Sequence, residues 1–286
     1  MSNPRTSHFS VPPTEALRVD AGFDLSTLDP GATPGWDHGR KAAEKSMARR
    51  GRDLSDLQER LFAHGRTGGE RSVLLVLQGM DTAGKGGIVR HVIGMVDPQG
   101  VDHAAFAAPT AEELAHDFLW RIRRRTPRPG MLGVFDRSHY EDVLIARVDD
   151  LVPRATWEAR YDQINEFEAE LAASGTTIVK VAMFVSLDEQ KERLRKRLER
   201  PDKHWKYDPS DLAGRAQWPA YQEAYQAVLD RTSTPAAPWY VVPADHKWYS
   251  RLVVTELVLD AFRSLDLDWP TASYDVAEQL ALLERS

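Results

Sequence analysis

The sequence has no cysteine in its 286 residues. Disulfides, thiolate metal sites and a cysteine nucleophile are therefore excluded, and a reducing compartment suits such a chain. Long apolar runs are missing too: nothing approaches the roughly 18 consecutive apolar residues that a membrane helix requires. The polar stretch Met1 to Pro13 lacks the apolar centre of a signal peptide. These absences lead to the expectation of a soluble, cytoplasmic protein with no membrane partner. Excess positive charge is also lacking. With 37 Lys and Arg against 43 Asp and Glu the net charge is -6, so the overall field does not favour nucleic acid, and no nucleic-acid partner is expected. No Ser-His-Asp spacing, zinc motif or paired glycosidase carboxylates stand out.

What is present begins with a hydrophobic content of 42%, enough for a substantial core in one large domain. Residues 1–37 carry five prolines and scattered glycines, so this segment is expected to wrap the surface or stay partly disordered. A helix is expected from about Arg40 to His64, where Leu54, Leu57, Leu61 and Phe62 recur at helical steps. Short apolar runs at Val73 to Leu77, His103 to Ala107, Met131 to Phe135, Thr177 to Val185 and Trp239 to Val242 read as strands. Helical patterns alternate with them: a helix from about Lys85, then Glu112 to Arg125, Pro153 to Ser174, 187 to 200, Tyr221 to Arg231 and Tyr249 to Leu265. The span Trp205 to Pro219 reads as loop. This order predicts an α/β fold: a parallel five-stranded sheet in a three-layer αβα arrangement with right-handed crossovers.

The first strand runs into Gly79-Met80-Asp81-Thr82-Ala83-Gly84-Lys85-Gly86. Gly79 and Gly84 let backbone amides wrap an anion, the next helix points its N-terminus at it, and Lys85 adds a mobile charge. The usual phosphate loop ends in Ser or Thr, and here Gly86 stands at that position. Asp81 places a carboxylate inside the loop that lost its hydroxyl. Asp136 ends another strand, followed by Arg137, and strand carboxyl ends are where open α/β sheets hold ligands. Asp81 and Asp136 together suit Mg²⁺, which takes one or two carboxylates plus phosphate oxygens, while Arg137 can bridge a phosphoryl group. A capping role for Asp136 and a surface ion pair for Arg137 are the simpler readings.

Two basic clusters stand out against the acidic whole. Arg193, Arg197 and Arg200 share a helical face with no acidic residue between them, within a segment that continues to Lys203 and Lys206. Such a stripe suits a lid over a polyanion, although a solvated helix with pairs such as Glu192 and Lys196 explains it too. Arg121, Arg123, Arg124, Arg125 and Arg128 precede the Asp136 strand. Together the clusters suggest an anionic groove longer than one nucleotide requires.

Four ordered motifs, GMDTAGKGG (79–87), FDRSHYEDVL (135–144), RPDKHWKYDPSDL (200–212) and TSTPAAPWYVVPADHKWYSRL (232–252), closely resemble the second polyphosphate kinase family over roughly residues 40–265. The resemblance implies a P-loop kinase core like that of thymidylate kinase across residues 1–286, with an N-terminal extension at 1–38 and a helical lid at about 190–215. It implies Mg²⁺-dependent, reversible phosphoryl exchange between polyphosphate and AMP, ADP or ATP, in a homo-oligomer such as a dimer or tetramer. By the same resemblance, Asp81, Lys85, Asp136 and Arg137 are catalytic, with Asp81 and Asp136 on the metal. Gly79, Met80, Thr82, Ala83, Gly84 and Gly86 form the phosphate loop, and Arg193, Arg197, Arg200 and Lys203 the polyphosphate-binding lid. The wording SHYEDVL is similar to the subgroup that phosphorylates both AMP and ADP, which implies that Glu141 helps to accept AMP. Many members of that subgroup carry Asn where this chain has Asp136. An ATP-dependent nucleotide kinase and a non-catalytic nucleotide or polyphosphate binder are the alternatives.

Overall fold

The structure, a computed structural model, describes residues 8–286. Along the chain, α1 (Pro13–Ala16) and α2 (Arg40–Arg66) precede β1 (Ser72–Gln78), α3 (Lys85–His91) and β2 (Val101–Ala105). Next come α4 (Ala111–Leu114), α5 (Trp120–Arg123), β3 (Leu132–Asp136), α6 (Ile145–Val148), α7 (Arg154–Ala173) and β4 (Thr176–Phe184). The chain ends with α8 (Leu187–Glu199), α9 (Ser210–Ala216), α10 (Trp218–Thr232), β5 (Trp239–Pro243), α11 (Lys247–Ser264) and α12 (Val276–Leu283). Among the described residues five strands form one sheet in the order β2-β3-β1-β4-β5, every pairing parallel. Parallel strands need covering on both faces, which is why β1 is buried along its whole length.

Residue parity on β1 assigns its two faces. Val73, Leu75 and Leu77 pack with Leu54 and Leu61 of α2 and with Leu252, Val253 and Leu257 of α11. Leu74 and Val76 pack with Tyr161, Ile164 and Phe167 of α7 and with Tyr225, Val228 and Leu229 of α10. The result is the expected three layers, with the aromatic residues of α7 in the core. Apolar side chains surround α11 on nearly every side, as expected of a helix buried at the centre of a layer. Its one buried acid, Glu256, is met by Arg50 of α2, which also donates to Ser46. Among the described residues no helix is long and apolar enough to cross a membrane.

Four expectations change. The N-terminal segment from residue 8 onward is built into the fold: Val19 N–H donates to Trp239 O at 2.9 Å and Val241 N–H to Leu17 O at 2.8 Å, which covers the exposed edge of β5. Phe9, Leu17 and Trp36 are buried in the α2/α11 layer; residues 1–7 lie outside the described ones. The single helix expected over Glu112 to Arg125 is broken into α4 and α5, because the Asp117 carboxylate accepts the Leu119 N–H at 2.9 Å and offers the backbone a local turn. The span expected as loop after Trp205 contains α9, led in by Asp208, whose carboxylate accepts the Ser210 N–H at 2.8 Å. β2 also begins and ends two residues before the stretch expected from its apolar run, and α12 carried no clear sequence signal beyond its Asp275 cap.

Candidate active site

β1 delivers the chain at Gln78 into a loop that only particular residues can make. Gly79 has φ +153°, and a Cβ there would lie 2.6 Å from the Met183 carbonyl oxygen of β4. Gly84, with φ +118°, is the residue preceding α3. Thr82 between them takes φ +66°, an uncommon position for a residue with a branched Cβ. Ala83 is buried and Met80 packs against the α7/α10 layer, so both anchor the loop from beneath. Lys85 is buried at the start of α3, and its Nζ donates to the carbonyl oxygens of Gly79 and Met80. Burial and then the nearby Arg137 charge push the Lys85 ammonium down, opposed by Asp81, Asp136 and Glu141.

Parallel register brings the second motif alongside. Asp136 lies opposite Leu77 of β1 and Ala105 of β2, two residues before Gly79. Arg137 follows with φ +64°, its N–H bonded to Leu77 O at 3.0 Å, and its guanidinium donates to Asp81 Oδ1 at 2.9 Å. Burial alone would lower Arg137, but Glu141, Asp81 and Asp136 outweigh it and hold the guanidinium above its ordinary value. Glu141 is half-buried against Gln78 and does not line the cleft described below. The Gln78 amide nitrogen faces Glu141 Oε1 at 2.9 Å while the Gln78 oxygen accepts from Ser138, the orientation in which every partner matches. Burial raises the Glu141 carboxyl, with Arg137 and Lys85 pulling the other way.

Behind this turn lies a buried polar network that the sequence did not announce. Lys180 of β4 donates to Glu168 at 2.6 Å, to the Tyr140 hydroxyl at 2.9 Å and to Thr232 O at 2.7 Å. Tyr140 donates to Glu168 at 2.8 Å, and His139 Nε2 meets the same carboxylate at 3.2 Å. The HYED turn that carries Glu141 is thereby pinned from below.

A cleft of about 630 Å³ opens over the loop, α3 and the first turns of α11, with α8 on its far side. Eleven lysines and arginines line it, against the two aspartates Asp81 and Asp136. Such a field concentrates polyanions. Arg193, Arg197, Arg200 and Lys203 are all in the lining, but they differ in freedom. Arg193 is buried, and all five of its N–H donors meet protein oxygens: Glu189 at 2.8 Å, Thr82 O and Ala83 O at 2.9 and 3.2 Å, Ala244 O and Asp245 O at 2.6 and 3.0 Å. It joins the phosphate loop to the β5–α11 turn. Arg197 is held by Asp211 at 3.0 Å, while Arg200 and Lys203 share Asp202 at 2.8 and 3.2 Å. The face expected to be free of acids therefore meets Glu189 one turn earlier on α8 and Asp202 and Asp211 just beyond it.

The second basic cluster does not join the cleft. Arg121 is buried against Ala107 O, Glu113 and Asp142, Arg123 pairs with Glu170 at 2.8 Å, and Arg128 with Asp102 at 3.1 Å. Arg124 lies over the Trp120 ring. The groove extends instead along cations that the sequence reading passed over, Arg90 of α3 and Lys247 and Arg251 of α11. The only sequence signal for the last two is their place in the fourth motif. Among the described residues no group of three or more His, Asp or Glu gathers as a metal site made by protein alone would.

Residues 37–268 match the model of the family described as Polyphosphate kinase 2. The chain is 45% identical to an AMP/ADP-polyphosphate phosphotransferase of Meiothermus ruber, over 89% of this chain and 94% of that one. It is 43% identical to an ADP-polyphosphate phosphotransferase of Rhodopseudomonas palustris, over 93% and 92% of the two chains. The solved structure of Polyphosphate Kinase 2 from Arthrobacter aurescens TC1 superposes with a TM-score of 0.96 at 53% identity, covering 98% of this chain and 99% of that one. A phosphate loop without its hydroxyl, a strand-end Asp-Arg pair and a cation-lined cleft thus sit on a fold and sequence that agree from end to end, and the chain belongs to the polyphosphate kinase 2 family.

Proposed function

We propose that this protein transfers the terminal phosphoryl group of inorganic polyphosphate to AMP and to ADP, forming ADP and ATP, and that the transfer is reversible. The observation that carries this reading is the cleft itself: eleven cations and two aspartates around a phosphate loop form a far larger positive field than one triphosphate needs. A nucleotide phosphate oxygen attacks the terminal phosphorus of the polymer in line, the bridging P–O bond breaks, and the shortened polyphosphate leaves with the bond's electrons. The attacking oxygen is already deprotonated near neutral pH, so positioning and charge neutralisation are the main tasks.

In this reading Lys85 turns from the Gly79 and Met80 carbonyls towards a phosphate oxygen, and the Arg137 fork neutralises charge at the reacting phosphorus while Asp81 holds its orientation. The amides of Met80, Thr82, Gly84 and Gly86 cradle the phosphates. Asp81 and Asp136 are the residues that would hold Mg²⁺. Two carboxylates in a phosphate-binding cleft suit an ion that takes its remaining ligands from phosphate and water. Mg²⁺ when bound neutralises the phosphoryl oxygens of the donor and acceptor. The segment at about 190–215 serves as the lid of a single domain spanning residues 1–286, with Arg197, Arg200 and Lys203 exchanging Asp211 and Asp202 for polyphosphate as it closes. Glu141 behind the loop favours AMP as acceptor. Assembly as a homo-oligomer belongs to the same reading.

Donor exchange tests it. The purified protein is incubated with AMP or ADP, Mg²⁺ and either long-chain polyphosphate or ATP, and nucleotide products are followed. Products from polyphosphate with both acceptors are expected. Products from ATP alone would identify an ATP-dependent nucleotide kinase, and saturable binding without conversion a non-catalytic binder.

A further inference from the structure

Lys247 and Arg251 line two hollows at once. Besides the main cleft they border a second space of about 360 Å³, completed by Arg40 and Glu44 of α2, Asp245, and the stacked rings of His246 and Trp248. Both carboxylates there are engaged, Glu44 with Arg40 at 2.7 Å and Asp245 Oδ1 with the Ser186 N–H at 2.8 Å. The cations between the hollows are not. Among the described residues Arg90, Lys247 and Arg251 make no ion pair, whereas Arg197, Arg200 and Lys203 across the cleft all do. Burial followed by Arg193 pushes Lys247 down, and burial followed by Arg40 pushes Arg251 down, with only Glu189 and Glu44 opposing. Cations held together against their own repulsion, beside a hollow, are arranged for an external anion.

The floor between the reacting site and this hollow has been stripped of side chains. Gly86 and Gly87 occupy the first turn of α3, where consecutive glycines weaken a helix. A Cβ on Gly86 would meet nothing within 4 Å, and one on Gly87 would meet only Arg251 Nη2, at 3.8 Å. The absent side chains leave open a path from Lys85 to Arg251.

We propose that the second hollow is a distal subsite for the tail of the donor: linear polyphosphate crosses the bare first turn of α3, passes Arg90 and Arg251, and lies on Arg40 and Lys247 beside Trp248. This rests on the donor proposed above. A ligand whose charge repeats along its length fits contiguous cations in two joined hollows better than a nucleotide, whose charge is concentrated at one end. Chain-length preference is then set at α11, away from the reacting phosphorus.

The test compares dissociation constants of long-chain polyphosphate and tripolyphosphate by calorimetry, for the wild type, Arg40→Gln, Arg251→Gln and the double variant. Binding needs no turnover, so the result stands apart from the donor-exchange assay. The double variant is expected to weaken long-chain binding about tenfold or more, the scale of losing charge-assisted phosphate contacts, and tripolyphosphate binding by much less. Arg251→Lys, which keeps the charge, should recover part of the long-chain affinity. Equal weakening for both lengths or an unchanged long-chain constant would each overturn the proposal. Melting curves on every variant separate lost binding from lost folding.

Discussion

Arg137 donates to Asp81 at 2.9 Å across two segments 56 residues apart, from a backbone position with φ +64°. The aspartate inside the phosphate loop therefore orients the arginine at the end of β3, and the two act as a unit. Arg137→Ala should lower turnover at least about 100-fold, the scale of one preorganised electrostatic contact. Arg137→Lys should recover little of it, because an ammonium cannot reproduce the fork. Steady-state rates on variants with wild-type melting curves check this, and near-normal turnover would remove Arg137 from the reaction.

Arg193 separates two roles. A lid residue that only touches substrate would leave the free protein's stability unchanged when replaced. With five donors on the Thr82, Ala83, Ala244 and Asp245 carbonyls and Glu189, Arg193→Ala instead orphans buried oxygens on two loops. A loss of about 2 kcal/mol in urea unfolding without ligand is expected, and wild-type stability would favour the substrate-contact role.

Glu141 links stability to pH. Its carboxyl is raised above the ordinary 4.5 by burial, so between that value and its folded value the native state holds more protons than the unfolded chain. Its contribution is fully present below pH 4.5 and is lost as pH rises through the folded value. Glu141→Gln should flatten the melting-temperature profile above that pH and raise the KM for AMP more than that for ADP. A variant whose profile tracks the wild type and whose two KM values shift equally would contradict both assignments.

The pair of Lys180 and Glu168, 0% and 1% exposed, underlies the turn that carries Glu141. Glu168→Gln leaves a buried ammonium without its counter-charge and should destabilise the fold by about 3–5 kcal/mol. The double replacement Lys180→Met with Glu168→Leu should restore much of that, since no charge is left buried. Chemical denaturation of the wild type and the two variants decides whether charge pairing or shape dominates.

Chelation of Mg²⁺ should abolish turnover while shifting the melting temperature by no more than about 2 °C, because two carboxylates in an open cleft do not make a structural metal site. A large drop in melting temperature would mean that a metal supports the fold.

Much of the frame was legible locally. β1 and the loop after it were visible because a short apolar run, glycines at positions whose positive φ other residues rarely adopt and a lysine at the helix start act within a few residues of one another. The helical pattern of α7 is of the same kind. The broken helix at Asp117 was missed because apolar period outweighed one side chain competing for a single N–H.

What the sequence by itself determined is the five parallel strands in their order along the chain, the main helices between them, and the glycine-rich loop followed one strand later by its Asp-Arg pair. All of these follow from periodicity and short-range backbone chemistry. Which charges are free was decided only by the tertiary structure. Arg123 finds Glu170 and Arg193 finds the carbonyl of Ala244, 47 and 51 residues away, while Arg90, Lys247 and Arg251 line one cleft and, among the described residues, form no ion pair. Pairing depends on which atoms lie within about 4 Å once the sheet is assembled. Spacing along the chain does not carry that information.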